Sequence, residues 1–213
     1  MRIIDGNTVV SVAEMRQSDA WTIENLTDSK TLMSRAGQAV VDNVDWNNCN
    51  DKKILIVCGK GNNAGDGYVI ARLLKEKDYT PELMLLYSDS FSEDGKYFFD
   101  RCVDIGVSVT EFNREVDFSE YGIIVDCIFG TGFHGNATGK AAEIISKINE
   151  SGAYVVSVDI NSGLNGDTGL GEVFVKSDIT ISIGNYKYGH FTGNSSIAMK
   201  KKVNCDIGIV LQT

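Results

Sequence analysis

Proline is almost absent from this chain, which has one, Pro81, in 213 residues, and histidine occurs only as His134 and His190. Two imidazoles are too few for a histidine-based metal centre by themselves. The five cysteines, at positions 49, 58, 102, 127 and 205, form no C-x-x-C pair, and their odd number leaves at least one unpaired. They read as reduced thiols, with Cys58 and Cys127 packing as small hydrophobes at the ends of apolar runs. No apolar run approaches the roughly 18 residues of a membrane span, and the start, Met1 to Val12, lacks a signal-peptide pattern. The expected setting is therefore cytoplasmic, with no membrane partner. Positive charge is also short: 20 Lys and Arg against 29 Asp and Glu leave a net charge of -9, which opposes binding to a nucleic-acid backbone. With no Gly/Ser linker and no long charge block to mark a boundary, residues 1–213 are expected to form a single domain.

Hydrophobic residues make up 43% of the chain, enough for a core that needs no disulfide or metal staple. Residues 11–25 and 29–46 place apolar side chains three and four apart, so two amphipathic helices are expected to open the fold. From Lys53 the texture changes. Short β-rich runs (KILIVC, ELMLLY, GIIVDCIF, AYVVSVDI, SDITISIG, VNCDIGIV) alternate with helical stretches (YVIARLLKEK, SEDGKYFFDRCVDIG, AAEIISKINE). Nearly continuous apolar strands joined by helices predict an α/β fold. The expected form is a Rossmann-like three-layer αβα sandwich with a mostly parallel central sheet, preceded by the two helices.

Three segments rich in glycine and short polar residues begin where strands end: Gly59–Gly67 (GKGNNAGDG), Gly130–Gly139 (GTGFHGNATG) and Asp159–Gly169 (DINSGLNGDTG). Carboxyl ends of parallel strands share one edge, so the three are expected to converge on a ligand crevice. The first runs from strand to helix and fits G-x-G-x-x-G/A, with backbone N–H groups suited to a pyrophosphate. Each glycine cluster alone also suits a plain tight turn. The second segment is no P-loop, because Ala141 stands where a magnesium-binding Ser or Thr is required. Asn63, Asp126 and Ser162 offer hard oxygen donors from three strand ends, a set suited to an alkali or alkaline-earth cation and not to zinc.

These residues resemble a known family, the stand-alone YjeF N-terminal domain of the NAD(P)H-hydrate epimerases, over essentially the whole chain. GKGNNAGDGYVIARLL is similar to its G-x-G-N-N-G-G-D-G signature, VDCIFGTGFHG to its V-D-A-x-x-G-T-G segment and VDINSGLNGDTG to its V-D-I-P-S-G-L-x-x-D-T-G. AEMRQSDAWTIEN and LMSRAG resemble its helical pair, and DIGI its closing strand. The resemblance implies that Asn62, Asn63, Ala64, Gly65 and Asp66 contact a dinucleotide hydrate. It further implies that Gly130, Thr131, Gly132, Phe133, His134, Gly135 and Asn136 wrap that ligand, and that Asn63, Asp126 and Ser162 hold one potassium ion. Asp159 would bind near the reacting ring and act as acid and base, with Lys187 beside it. The implied substrate is NADHX or NADPHX, used as substrate and not as a redox cofactor. The implied partners are a second copy of the chain and a separate NAD(P)HX dehydratase. Ala64, Asn161 and Asn165 depart from the motifs, and NYKYGH replaces a proline-rich A-P-K-P-G pattern. A nicotinamide oxidoreductase stands as a rival reading, although no Tyr-x-x-x-Lys pair occurs. A non-catalytic dinucleotide- or protein-binding scaffold of the same fold is the other.

Overall fold

A computed structural model describes residues 1–49 and 52–212. The chain opens on a hairpin of β1 (Arg2–Ile4) and β2 (Asn7–Val10), ahead of the expected helices α1 (Val12–Asn25) and α2 (Ser29–Asn43). The hairpin turn is Asp5-Gly6, both in the left-handed region at φ 50° and 76°. Asp-Gly between two apolar runs is a strong hairpin signal, and it stood in the sequence. Helix α1 starts at a capping box, with Ser11 accepting from the Glu14 N–H while Glu14 accepts from the Ser11 N–H. Helix α2 ends at Asn43, short of the expected residue 46. The backbone turns extended at Val44, and Trp46 folds in to donate its indole N–H to the Val41 carbonyl at 2.9 Å.

The rest is βα alternation: β3 (Lys53–Cys58), α3 (Asn62–Glu76), β4 (Pro81–Leu85), α4 (Glu93–Asp104), β5 (Ser108–Glu111), β6 (Tyr121–Cys127), α5 (Gly139–Glu150) and β7 (Tyr154–Val158). Then come β8 (Ser177–Ile183), the two-residue β9 (Tyr186–Lys187), the short helix α6 (Ser195–Ala198) and β10 (Met199–Cys205). Seven strands form one parallel sheet in the order β10-β8-β7-β6-β3-β4-β5. Side chains alternate across it. In β3, Ile54, Ile56 and Cys58 join the core under α2, α3 and α4, while Leu55 and Val57 join the core under α5. Burial on both faces explains why these strands read as continuous apolar runs.

The last expected strand, VNCDIGIV, stops early, at Cys205. The DIGI segment follows β10 as irregular chain, because Asp206 accepts the Gly208 N–H at 2.8 Å and Gly208 turns left-handed at φ 88°. The tail then runs along α1, where the Val210 N–H donates to Thr22 Oγ1 at 3.0 Å and the Gln212 N–H to Ser18 Oγ at 2.9 Å. Both hydroxyls are buried and would otherwise lack these partners.

Chain order reverses between β3 and β6. From β3 the chain builds outward through β4 and β5, then returns to β6 on the other side of β3. The loops leaving the ends of β3 and β6 therefore diverge over opposite faces of the sheet and leave a crevice between them.

Candidate active site

A cleft of about 610 Å³ occupies that position, within the usual size of a small-molecule site. Asn62, Asn63 and Asp66 line it from the start of α3, and Gly130 to His134 from the segment after β6. Asp159 and Lys187 form part of its wall, and α1 and α2 contribute Met15, Arg16, Asp19 and Met33. Helix α3 begins at Asn62, so most of the first glycine-rich segment is helix and not loop. Gly59 precedes it where a Cβ would lie 2.0 Å from the Ile128 carbonyl oxygen, so only glycine lets the first two segments meet.

Asp159 follows β7 in a left-handed conformation at φ 66°, a geometry that aspartate tolerates better than most residues. One side-chain and one backbone donor fix its carboxylate. Lys187 Nζ donates to Oδ1 at 2.5 Å, and the Thr131 N–H donates to Oδ2 at 2.9 Å. Lys187 is 1% exposed, and its ammonium also donates to the Ile183 carbonyl at 2.8 Å. Strand β9 places this lysine by pairing with β2, Val10 opposite Lys187. The unexpected hairpin thus positions a predicted catalytic side chain. Burial pushes the Asp159 carboxyl up, but the Lys187 charge, its hydrogen bond and that from Thr131 outweigh it and hold the group below the usual carboxylate range. His190 closes the arrangement. Its Nε2–H donates to the Asp159 carbonyl at 2.9 Å, which fixes the tautomer, and Nδ1 accepts the Lys187 N–H at 3.1 Å. Burial and the nearby ammonium push its pKa down to about 4, so it is a neutral positioning group.

Asp126 is fully buried beneath the cleft instead of standing at its edge. Its Oδ1 accepts from Ser162 Oγ at 2.5 Å and its Oδ2 from Ser157 Oγ and the Ser162 N–H, both at 2.9 Å. Ser162 Oγ in turn accepts the Phe129 N–H at 2.8 Å. Asn63 donates through Nδ2 to the Phe129 carbonyl at 3.0 Å, while its Oδ1 is buried without a partner. An orphaned amide oxygen beside a serine hydroxyl, a carbonyl and a carboxylate is a cation-type donor set.

The expected site residues separate into layers. Ala64 and Gly65 lie under the cleft, where α3 packs on α2; a Cβ on Gly65 would meet the Met33 sulfur at 2.5 Å. Gly135 and Asn136 sit over a different depression, with Asn165 and Thr168. Asn161, where the family motif has proline, is fully buried, donating to the Val175 and Ala198 carbonyls and accepting from Thr180 Oγ1. Asn165 Oδ1 accepts the Asp167 and Thr168 N–H groups, so the amide closes this turn without a carboxylate.

Besides Asp159, three carboxyls line the cleft: Asp94, which pairs with Lys30, and Asp66 and Asp19. Burial pushes Asp66 well above the usual range, with Asp159 and Asp19 adding to the effect, and pushes Asp19 up to about 6. Asp19 and His190 carried no motif signal that singled them out. Asp19 sits in an ordinary polar stretch of an amphipathic helix, and His190 in a segment that departs from the family pattern.

A model of the family YjeF-related protein N-terminus matches residues 29–189. The NAD(P)H-hydrate epimerase of Lentilactobacillus buchneri is 36% identical over 163 residues, 75% of this chain and 75% of that one. The Bifunctional NAD(P)H-hydrate repair enzyme Nnr of Thermofilum pendens is 37% identical over 144 residues, 63% of this chain and 27% of that one. The crystal structure of yeast ynu0, YNL200c, shares the fold, with a TM-score of 0.78 at 23% identity over 92% of this chain and 87% of that one. The chain belongs to the YjeF-related protein N-terminus family.

Proposed function

We propose that this chain is an NAD(P)H-hydrate epimerase, an isomerase that inverts carbon 6 of the hydrated nicotinamide ring of NADHX or NADPHX. The observation that carries this reading is the buried Lys187–Asp159 pair in a cleft at the sheet's switch point, in a chain of this family. Carbon 6 bears a hydroxyl and the ring nitrogen. Its inversion proceeds either by departure and return of the hydroxyl or by ring opening to an aldehyde and reclosure. Both routes move a proton at oxygen. An ionised Asp159 is placed to take that proton, and Lys187 keeps the carboxylate charged and oriented. Gly130 lets the second segment approach: a Cβ there would meet Asp159 Oδ2 at 2.9 Å. Asn62, Asn63 and Asp66 at the α3 N-terminus, with Gly130, Thr131, Gly132, Phe133 and His134, hold the dinucleotide, and Arg16 and Lys60 at the cleft favour its pyrophosphate.

Potassium is assigned to Asn63, Asp126, Ser162 and the Phe129 carbonyl, on the strength of the orphaned Asn63 oxygen. Once bound, the ion would neutralise Asp126 and stiffen the segments around Asp159. Ala64 and Gly65 support the site from below, and Gly135 and Asn136 are assigned to its outer rim. The chain is further assigned to the cytoplasm, beside a separate dehydratase. It is also assigned a homodimeric state, supported by exposed Trp21 and Ile23 on α1 and Leu26 just past its end, which sedimentation velocity would read.

The test is conversion of one purified NADHX epimer to the equilibrium mixture, followed by chromatography in potassium against a protein-free blank. Asp159→Asn is the informative variant because asparagine, like aspartate, accepts a positive φ. We expect the rate above the blank to fall by about 10²–10⁴-fold with the fold intact. An unchanged rate would remove Asp159 from the chemistry.

A further inference from the structure

Four carboxyls line the cleft, and they are not equivalent: Asp94 pairs with Lys30 at 2.9 Å. Asp159 takes the ammonium of Lys187 and the N–H of Thr131. Asp19, from α1, and Asp66, from α3, receive no hydrogen bond or ion pair among the described residues. Both are half-buried, and both lie within electrostatic reach of Asp159 and Lys187. Asp19 stands on a helical wall of the cleft and Asp159 at the strand ends, so the two carboxyls address the cavity from different walls.

Inversion at carbon 6 by departure and return of the hydroxyl sets a geometric demand that one carboxylate does not meet. Oxygen leaves from one face of the ring and arrives at the other, and each event involves a proton. We propose that Asp19 is a second catalytic residue of the epimerisation, protonating the departing hydroxyl on one face of carbon 6 while Asp159 deprotonates the water that arrives on the other. This rests on the epimerase reading above. In the first half, the Asp19 O–H bond breaks and its proton joins the hydroxyl. The C6–O bond then breaks, water leaves, and the ring-nitrogen lone pair forms a C=N⁺ bond. In the second half a water oxygen bonds to carbon 6, the C=N⁺ electrons return to nitrogen, and Asp159 accepts the surplus proton. The net change is inversion plus one proton moved from Asp19 to Asp159. Exchange with solvent, or a turnover in the reverse direction, restores the starting state.

The electrostatics assign the roles. The charged and titratable groups that share the cleft with Asp19 are Arg16 on its own helix, Asp66 of α3, and Asp159 and Lys187 at the strand ends, with Lys60, Asp94 and His134 also in its lining. Lys187 is committed to Asp159, which stays ionised. Burial, with the Asp159 carboxylate adding to it, outweighs the Lys187 charge and keeps Asp19 protonated to higher pH than an ordinary aspartate. Burial likewise holds Asp66 above the usual carboxylate range. An acid and a base thus coexist in one cleft, which is the separation of pKa values that acid–base pairs require.

The experiment is the epimerisation assay on wild type and Asp19→Asn from pH 5 to 8, each read above a blank at the same pH, with thermal melts of both proteins. For wild type we expect kcat/KM to fall on the alkaline side with an apparent pKa near 6. The Asp19→Asn variant should bind the hydrate, lose about 10²–10⁴-fold in rate, and lack that limb. Its Tm above pH 6 should match or exceed that of wild type. A carboxyl whose folded pKa is raised stabilises the fold at low pH and loses that contribution as pH rises, so a neutral amide relieves the cost. A merely structural role would lower Tm along with the rate, and that result overturns the proposal. So does a variant with wild-type rate, or one that keeps the alkaline limb. If Asp19→Asn fails to fold, Asp19→Ser and the wild-type profile decide, and a profile without an alkaline limb counts against Asp19. A wild-type chain no faster than its blank would instead overturn the epimerase reading itself.

Discussion

Lys187 and Asp159 lie far apart in sequence, yet their charges meet where water hardly reaches: the lysine side chain is 2% exposed and the aspartate 16%. Removing one partner of such a pair leaves the other charge uncompensated. Lys187→Met should therefore cost about 3–5 kcal/mol at pH 7. The sign of its pH dependence follows from Asp159. With lysine present the carboxyl is depressed, and its stabilisation holds above the unfolded pKa and is lost as pH falls through the folded one. Without lysine, burial dominates and the pKa rises, so the deficit should shrink between pH 7 and pH 5 as the carboxyl protonates. Urea denaturation at the two pH values checks this, and a deficit that grows on acidification would refute it. The sequence marked Asp159 and Lys187 because both lie in motif-like segments. It said nothing of Asp19, whose significance comes from what folds next to it. Asn161 departs from the motif, yet its amide knits the Val175, Ala198 and Thr180 groups together.

At the scale of elements, α1 is the part whose placement is least local. Its N-terminus is held by Asp167 of the third glycine-rich segment, whose Oδ1 accepts the Val12 N–H at 2.8 Å. Its buried hydroxyls, Ser18 and Thr22, take backbone N–H groups of the C-terminal tail. The tail also packs Ile207 on Leu32 and Ala36 of α2 and lines the cleft with Ile207 and Ile209. Truncation after Asp206 should consequently lower Tm and raise KM for the hydrate at least several-fold. Limited proteolysis should then cut within residues 1–28 while the parallel sheet stays protected. Equal protease resistance and unchanged KM would show that α1 is held without the tail. Periodicity placed both opening helices within a few residues, but it missed the hairpin before them and read DIGI as a strand. In the first case a local turn signal was present and passed over. In the second a glycine turn overrode β-rich composition, a contest that composition alone does not decide.

Across the whole molecule, the sheet order decides which strand ends share the cleft, and the cation-type donor set lies between those of β3 and β6 and the segment after β7. A cation bound there stabilises only the folded chain, so potassium should raise Tm above that in choline chloride of equal ionic strength. Asn63→Ala should abolish the difference; identical melting in both salts would remove the ion from this site. The sequence by itself determined the α/β class, the parallel sheet and the three converging segments. Each follows from local periodicity, from burial on both faces, and from glycine where backbones must approach. Only the tertiary structure decided that α3 begins inside the first segment, that Asp126 is buried, and that β2 carries Lys187 to Asp159. It also decided that Asp19 faces the same cavity. The physical reason is that charge state and reach depend on neighbours brought together through space, and a chain read in order shows only its neighbours along the backbone.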